Sequence, residues 1–103
     1  MTTQADVVLC MLSTKDGGLV KVQASGTRSL YFHFGWAGVD VDYGGFLDLE
    51  KGVEVKPGIG PVGAVLTLWA AEASSIEPGQ TFSIRYPKRV VGYGLVREVR
   101  RDL

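Results

Sequence analysis

The chain has one cysteine, one histidine and no net charge, and each scarcity removes a class of function. A lone Cys10 leaves no intramolecular disulfide to form, so the fold is held without cross-links. Its expected place is inside a strand, as a small buried hydrophobe, because no cationic residue neighbours it in sequence to make a reactive thiolate. One His and one Cys also supply too few of the usual soft metal ligands. Asp40, Asp42 and Asp48 offer hard oxygens, but their spacing is not that of a calcium loop, so no metal site is expected. They read as a solvated strand face.

Long apolar runs are missing as well. No stretch approaches the ~20 residues that a membrane-spanning helix requires. The start, "MTTQADVVLCMLS", has neither the basic segment nor the apolar segment of a secretion signal. Cytoplasmic localisation is the resulting expectation. Phosphate loops are absent too: neither G-x-x-x-x-G-K-[ST] nor a helix-opening G-x-G-x-x-G occurs, so no nucleotide or other cofactor is expected. A catalytic reading would need His33, in "SLYFHFGW", to sit in a cleft beside a carboxylate. The expectation is a non-enzyme with no catalytic residues.

What is present reads as strands. β-Branched and aromatic residues fill short runs separated by Gly, Pro, Ser and Asp, without a sustained 3.6-residue period. "DVVLCMLST" is a first strand stopped by "KDGG", and "LVKVQAS" is a strand or an extended loop. "RSLYFHFGW" and "VDVDYGGFLDL" follow, the latter alternating Val39, Val41 and Tyr43 against Asp40 and Asp42, which places the carboxylates outside. "EKGVEVKPGIGP" is a loop, "VGAVLTLWAAEAS" the most apolar strand and "IEPGQ" a turn. "TFSIRY" and "RVVGYGLVREVR" close the chain. Six or seven short strands in 103 residues make one all-β domain, a sandwich or a closed barrel. The two glycines of "GYG" mark a bend, a bulge or a close backbone approach.

Charge is uneven despite the zero total. Residues 1–72 carry a balance of −3 and residues 73–103 one of +3. Arg85, Lys88, Arg89, Arg97, Arg100 and Arg101 supply the positive end, with Tyr86 available to stack on a base. In "TFSIRY", Arg85 should face away from Phe82 and Ile84. On two antiparallel strands the tip and the terminal residues lie about 30 Å apart at ~3.3 Å per residue, so this charge forms a ribbon, not a patch.

Together these elements resemble the C-terminal β-barrel, the third domain, of translation elongation factor Tu. The resemblance rests on the opening "DVVLCMLSTKDGG", the aromatic strand "RSLYFHF", the Gly-Val-Glu-x-x-Pro-Gly element read here as "GVEVKPG", and the closing run. There, Phe82, Ile84, Arg85, Arg89, Val91, Gly92, Gly94 and Val96 keep the family's register within "TFSIRYPKRVVGYGLV". It covers roughly residues 5–100 and implies a six-stranded closed antiparallel barrel. The family barrel packs on a GTPase domain, contacts the T-stem of aminoacyl-tRNA and takes part in the exchange-factor interface. The family's tip Glu-Gly is replaced by Tyr86-Pro87, its Lys before the late turn aligns with Glu72, and its Gln of the aromatic strand aligns near Leu30. Pro87 hinders close backbone approach and Glu72 reverses the sign of a phosphate contact. The expected role is therefore a stand-alone barrel that binds a protein partner or itself, with Trp36, Trp69 and Tyr93 as interface aromatics. The alternative is an RNA-binding accessory factor using Arg85, Tyr86, Lys88, Arg89, Arg97 and Arg100.

Overall fold

The computed structural model describes residues 3–21, 30–36, 39–49, 53–69, 76–86 and 89–100. Six strands form within them: β1 (Thr3–Met11), β2 (Tyr31–Trp36), β3 (Val39–Leu49), β4 (Val62–Leu68), β5 (Thr81–Arg85) and β6 (Val90–Arg100). They close into an antiparallel barrel in the order β1-β4-β3-β2-β5-β6. Closure leaves every strand with two neighbours, which removes the open edges that invite aggregation. No helix among the described residues is long and apolar enough to cross a membrane.

Strand parity sets the interior. Ala5, Val7, Leu9 and Met11 of β1, Phe32 and Phe34 of β2, Leu66 and Leu68 of β4, and Phe82 and Ile84 of β5 are all buried. Three rings meet at the centre: Phe34 and Phe82 lie 5.1 Å apart, and Phe32 meets Phe82 edge-on at 6.2 Å. "GYG" makes this possible, because Gly94 faces inward where a Cβ would lie 2.2 Å from Phe82 Cζ. At Gly92 a Cβ would lie 2.8 Å from Met11 Sδ. The expected close approach is thus real: a side chain approaches Gly94, and both the Met11 side chain and the Cys10 carbonyl approach Gly92.

Cys10 corrects the first reading: it is exposed. It lies between the inward Leu9 and Met11, and the parity of a wholly apolar run such as "VVLCML" is decided by barrel closure, not by alternation. The segment "KDGG" likewise forms a 3-10 turn over Thr14–Asp16, with Ser13 Oγ accepting from Asp16 N–H and Gly17 in the left-handed region at φ 95°. Most of "LVKVQAS" lies outside the described residues; of its start, Leu19 is buried and Val20 exposed. The loop "VKPGIG" is tied to the end of β1 by Met11 N–H to Ile59 O (2.8 Å) and Gly58 N–H to Leu12 O (3.1 Å).

β6 departs from simple alternation twice. Asp6 pairs with Glu98 but Val7 with Val96, and Ile84 pairs with Gly92 but Arg85 with Val90, so Arg97 and Val91 are extra residues at bulges. Bulges add local twist, which helps six strands close. The second bulge lies at the turn end of the β5–β6 hairpin, where Tyr86 N–H donates to Arg89 O at 2.9 Å.

Candidate functional site

Cross-strand register assembles one row of side chains on the outside of the barrel. Asp42 pairs with His33, His33 with Ser83, Ser83 with Tyr93 and Tyr93 with Cys10, taking in β3, β2, β5, β6 and β1 in turn. His33, Ser83 and Cys10 each lie between two buried neighbours, and Asp42 and Tyr93 are exposed, so all five face out. His33 Nδ1 lies 2.7 Å from Asp42 Oδ1. An ionised carboxylate only accepts, so Nδ1 carries the donated proton and, in the neutral ring, Nε2 is the acceptor.

A groove of about 630 Å³ opens along this row, with Val8, Cys10, Tyr93 and Leu95 on one side and His33, Gly35, Thr81 and Ser83 on the other. Its origin is visible in the ladders. β2 and β5 pair only over Tyr31–His33 and Ser83–Arg85, and the groove lies beyond the last of these pairs. Gly35 contributes no side chain to fill it. Tyr93 and Leu95 stand beside it 55% and 42% exposed.

The catalytic condition set by the sequence is met in part: His33 lines a groove and has a carboxylate partner. Ser83 stands opposite His33 across the β2–β5 ladder and forms no hydrogen bond to the ring, the contact through which a base activates a serine. The pair therefore orients an imidazole at the edge of an apolar surface. No group of three or more His, Cys, Asp or Glu residues suited to a metal occurs among the described residues.

The basic residues are placed apart and mostly engaged. Arg85 does face away from Phe82 and Ile84, as alternation required, and its Nη1 lies 3.9 Å from Asp42 Oδ1. Its Nε is buried without a hydrogen-bond partner, so the side chain packs against the sheet. Arg89 Nη2 donates to Gly18 O at 3.2 Å, and Arg100 Nη2 to Asp6 Oδ2 at 2.7 Å. Arg97, at its bulge, is exposed in a second groove of about 750 Å³ that also holds Asp6, Asp48 and Glu98. Tyr86 is exposed at the hairpin, while Lys88 and Arg101 lie outside the described residues. Because both side chains of the Arg100–Asp6 pair are partly solvated, Arg100→Met should change unfolding free energy by less than about 1 kcal/mol in a urea titration.

The aromatics do not form one surface either. Trp69, 43% exposed, follows Leu68, which pairs with Thr3, and its ring lies 6.1 Å from Phe46. Tyr93 pairs with Cys10 at the other end of β1, roughly 23 Å away at ~3.3 Å per residue. The side chain of Trp36 lies outside the described residues.

Sequence reasoning missed Asp42, Ser83 and Leu95 as members of this site, and also the exposure of Cys10. One signal was available: the β2–β3 register, Trp36 opposite Val39, brings His33 opposite Asp42. No family model matches this chain, and no curated protein matches it.

Proposed function

We propose that the chain is a non-catalytic barrel of the elongation factor Tu third-domain type that acts as a protein-interaction module through the β1–β6–β5–β2 face. The observation that carries this reading is the concentration of exposed Tyr93 and Leu95 with exposed Cys10 beside one apolar groove. Exposed apolar surface grouped in this way has the character of an interface core, where aromatic residues are enriched and charges depleted. A formal charge of zero sets up no long-range repulsion against a second copy or another protein, so self-association is the simplest form of the activity.

The RNA-binding alternative draws less support. Counterion release requires cations free to meet phosphates, yet Arg100 is bound to Asp6, Arg89 to a carbonyl, and Arg85 lies beside Asp42. The test combines sedimentation equilibrium of the purified chain with affinity capture, with and without nuclease, for the natural chain and for Leu95→Lys. Self-association, or a nuclease-resistant protein partner, that is lost in Leu95→Lys is the expected result. A strict monomer whose captured material disappears on nuclease treatment would overturn the reading in favour of RNA.

A further inference from the structure

The groove is more than an apolar face, because one of its sides is polar in a specific way. Ser83 is half-buried and Thr81 exposed, two residues apart on the same face of β5, and neither hydroxyl has a hydrogen-bond partner among the described residues. Each hydroxyl both donates and accepts. Next to them stands His33, only 18% exposed and held in orientation by Asp42. Across the groove, Val8, Leu95 and the ring of Tyr93 offer apolar contact, and Gly35 leaves the space above β2 unfilled.

Two further facts point to a small molecule. The volume, about 630 Å³, falls within the ~300–1,000 Å³ of ligand sites, and apolar walls with a few convergent polar groups are the usual composition of such sites. The concavity also comes from the fold itself, since it sits where the β2–β5 ladder stops, so it needs no rearrangement to exist.

We propose that this groove is a binding site for a flat, largely apolar ligand that carries a hydroxyl group, in simplest form an aromatic alcohol. The ring lies against Tyr93, Leu95 and Val8, and the hydroxyl is held at Ser83 and Thr81, beside the imidazole of His33. A hydroxyl suits this side because it can donate and accept at once, as its hosts do. An ether of the same shape loses the donor and leaves one polar group of the site unmatched. Asp42 is a positioning residue that sets the orientation of His33. The site lies on the face of the partner reading but is a separate claim: its alcohol-against-ether and Ser83→Ala arms enter neither sedimentation nor capture, so either can fail without the other.

The test is an amide NMR titration of the chain with 2-naphthol and, separately, with 2-methoxynaphthalene. Saturable shifts centred on Thr81, Ser83, Tyr93 and Leu95 are expected for 2-naphthol, with binding by the ether weaker by about fivefold or more, the worth of one hydrogen bond. Ser83→Ala should weaken 2-naphthol by a similar factor and the ether, which keeps only an acceptor, by less. Leu95→Lys should weaken both. These positions face outward, so the variants keep the inward packing and the barrel spectrum. Absence of saturable shifts, equal binding of alcohol and ether, shifts centred on another face, or an unaltered affinity in Ser83→Ala would each overturn the proposal.

Discussion

Truncating Phe34 to alanine is expected to remove about 3–5 kcal/mol of folding stability, the range for deleting a buried aromatic ring. The side chain is fully buried and lies 5.1 Å from Phe82 and 5.8 Å from Tyr43, ring centre to ring centre. Its removal leaves a cavity at the meeting point of β2, β3 and β5. At this level β2 is laddered to β3 and β5 to β6, while the β2–β5 pairing ends at His33 and Ser83, so the strands close only in part on the space. A domain of this size has about 5–15 kcal/mol in all, so the loss is a large share of the total. Thermal denaturation followed by near-ultraviolet circular dichroism should show a fall in Tm of roughly 15 °C or more, at 4–8 °C per kcal/mol. A fall of only a few degrees would mean that the three-ring cluster is not the core described above.

The second large effect is Gly94→Ala. This residue occupies a strand interior, where alanine would ordinarily be the better choice on entropic grounds. Here the added Cβ would stand 2.2 Å from Phe82 Cζ and 2.7 Å from both neighbouring ring carbons. The ring has no simple retreat, since Phe34 and Phe32 pack against it. Overpacking of this kind costs about 1–3 kcal/mol and occasionally more, and the upper end is expected. Shortening the obstructing ring should relieve it. In Phe82→Leu/Gly94→Ala, the two losses should fall short of additivity by about 1–2 kcal/mol, within the range for residues in direct contact. Guanidinium titrations of the four chains measure this coupling, and strict additivity would refute the packing account.

These two positions show how differently residues reveal themselves. Phe34 is legible in the sequence as an apolar residue in an aromatic strand. Gly94 is legible only as an anomaly, a small residue in a strand, and the reason for it appears once Phe82 is known to lie opposite on β5. The exposed site was harder still. Its members come from five strands, and each stands out only by where its neighbours across the sheet place it.

A set of six or seven short strands, the outward turn of Arg85 and Asp42 and the places of the turns follow from the order of residues, because a period of two, glycine and proline act over a few positions. The choice of a closed barrel over a sandwich is made by the pairing of the strands. The pairing of Arg100 with Asp6, 94 residues away, does not follow from those local signals. Neither do the bulges at Val91 and Arg97, the outward Cys10, or the groove beyond His33 and Ser83. Each depends on the register between strands far apart in the chain. Barrel closure fixes that register by bringing every strand to pair on both sides at once, and a one-residue slip would exchange inside for outside.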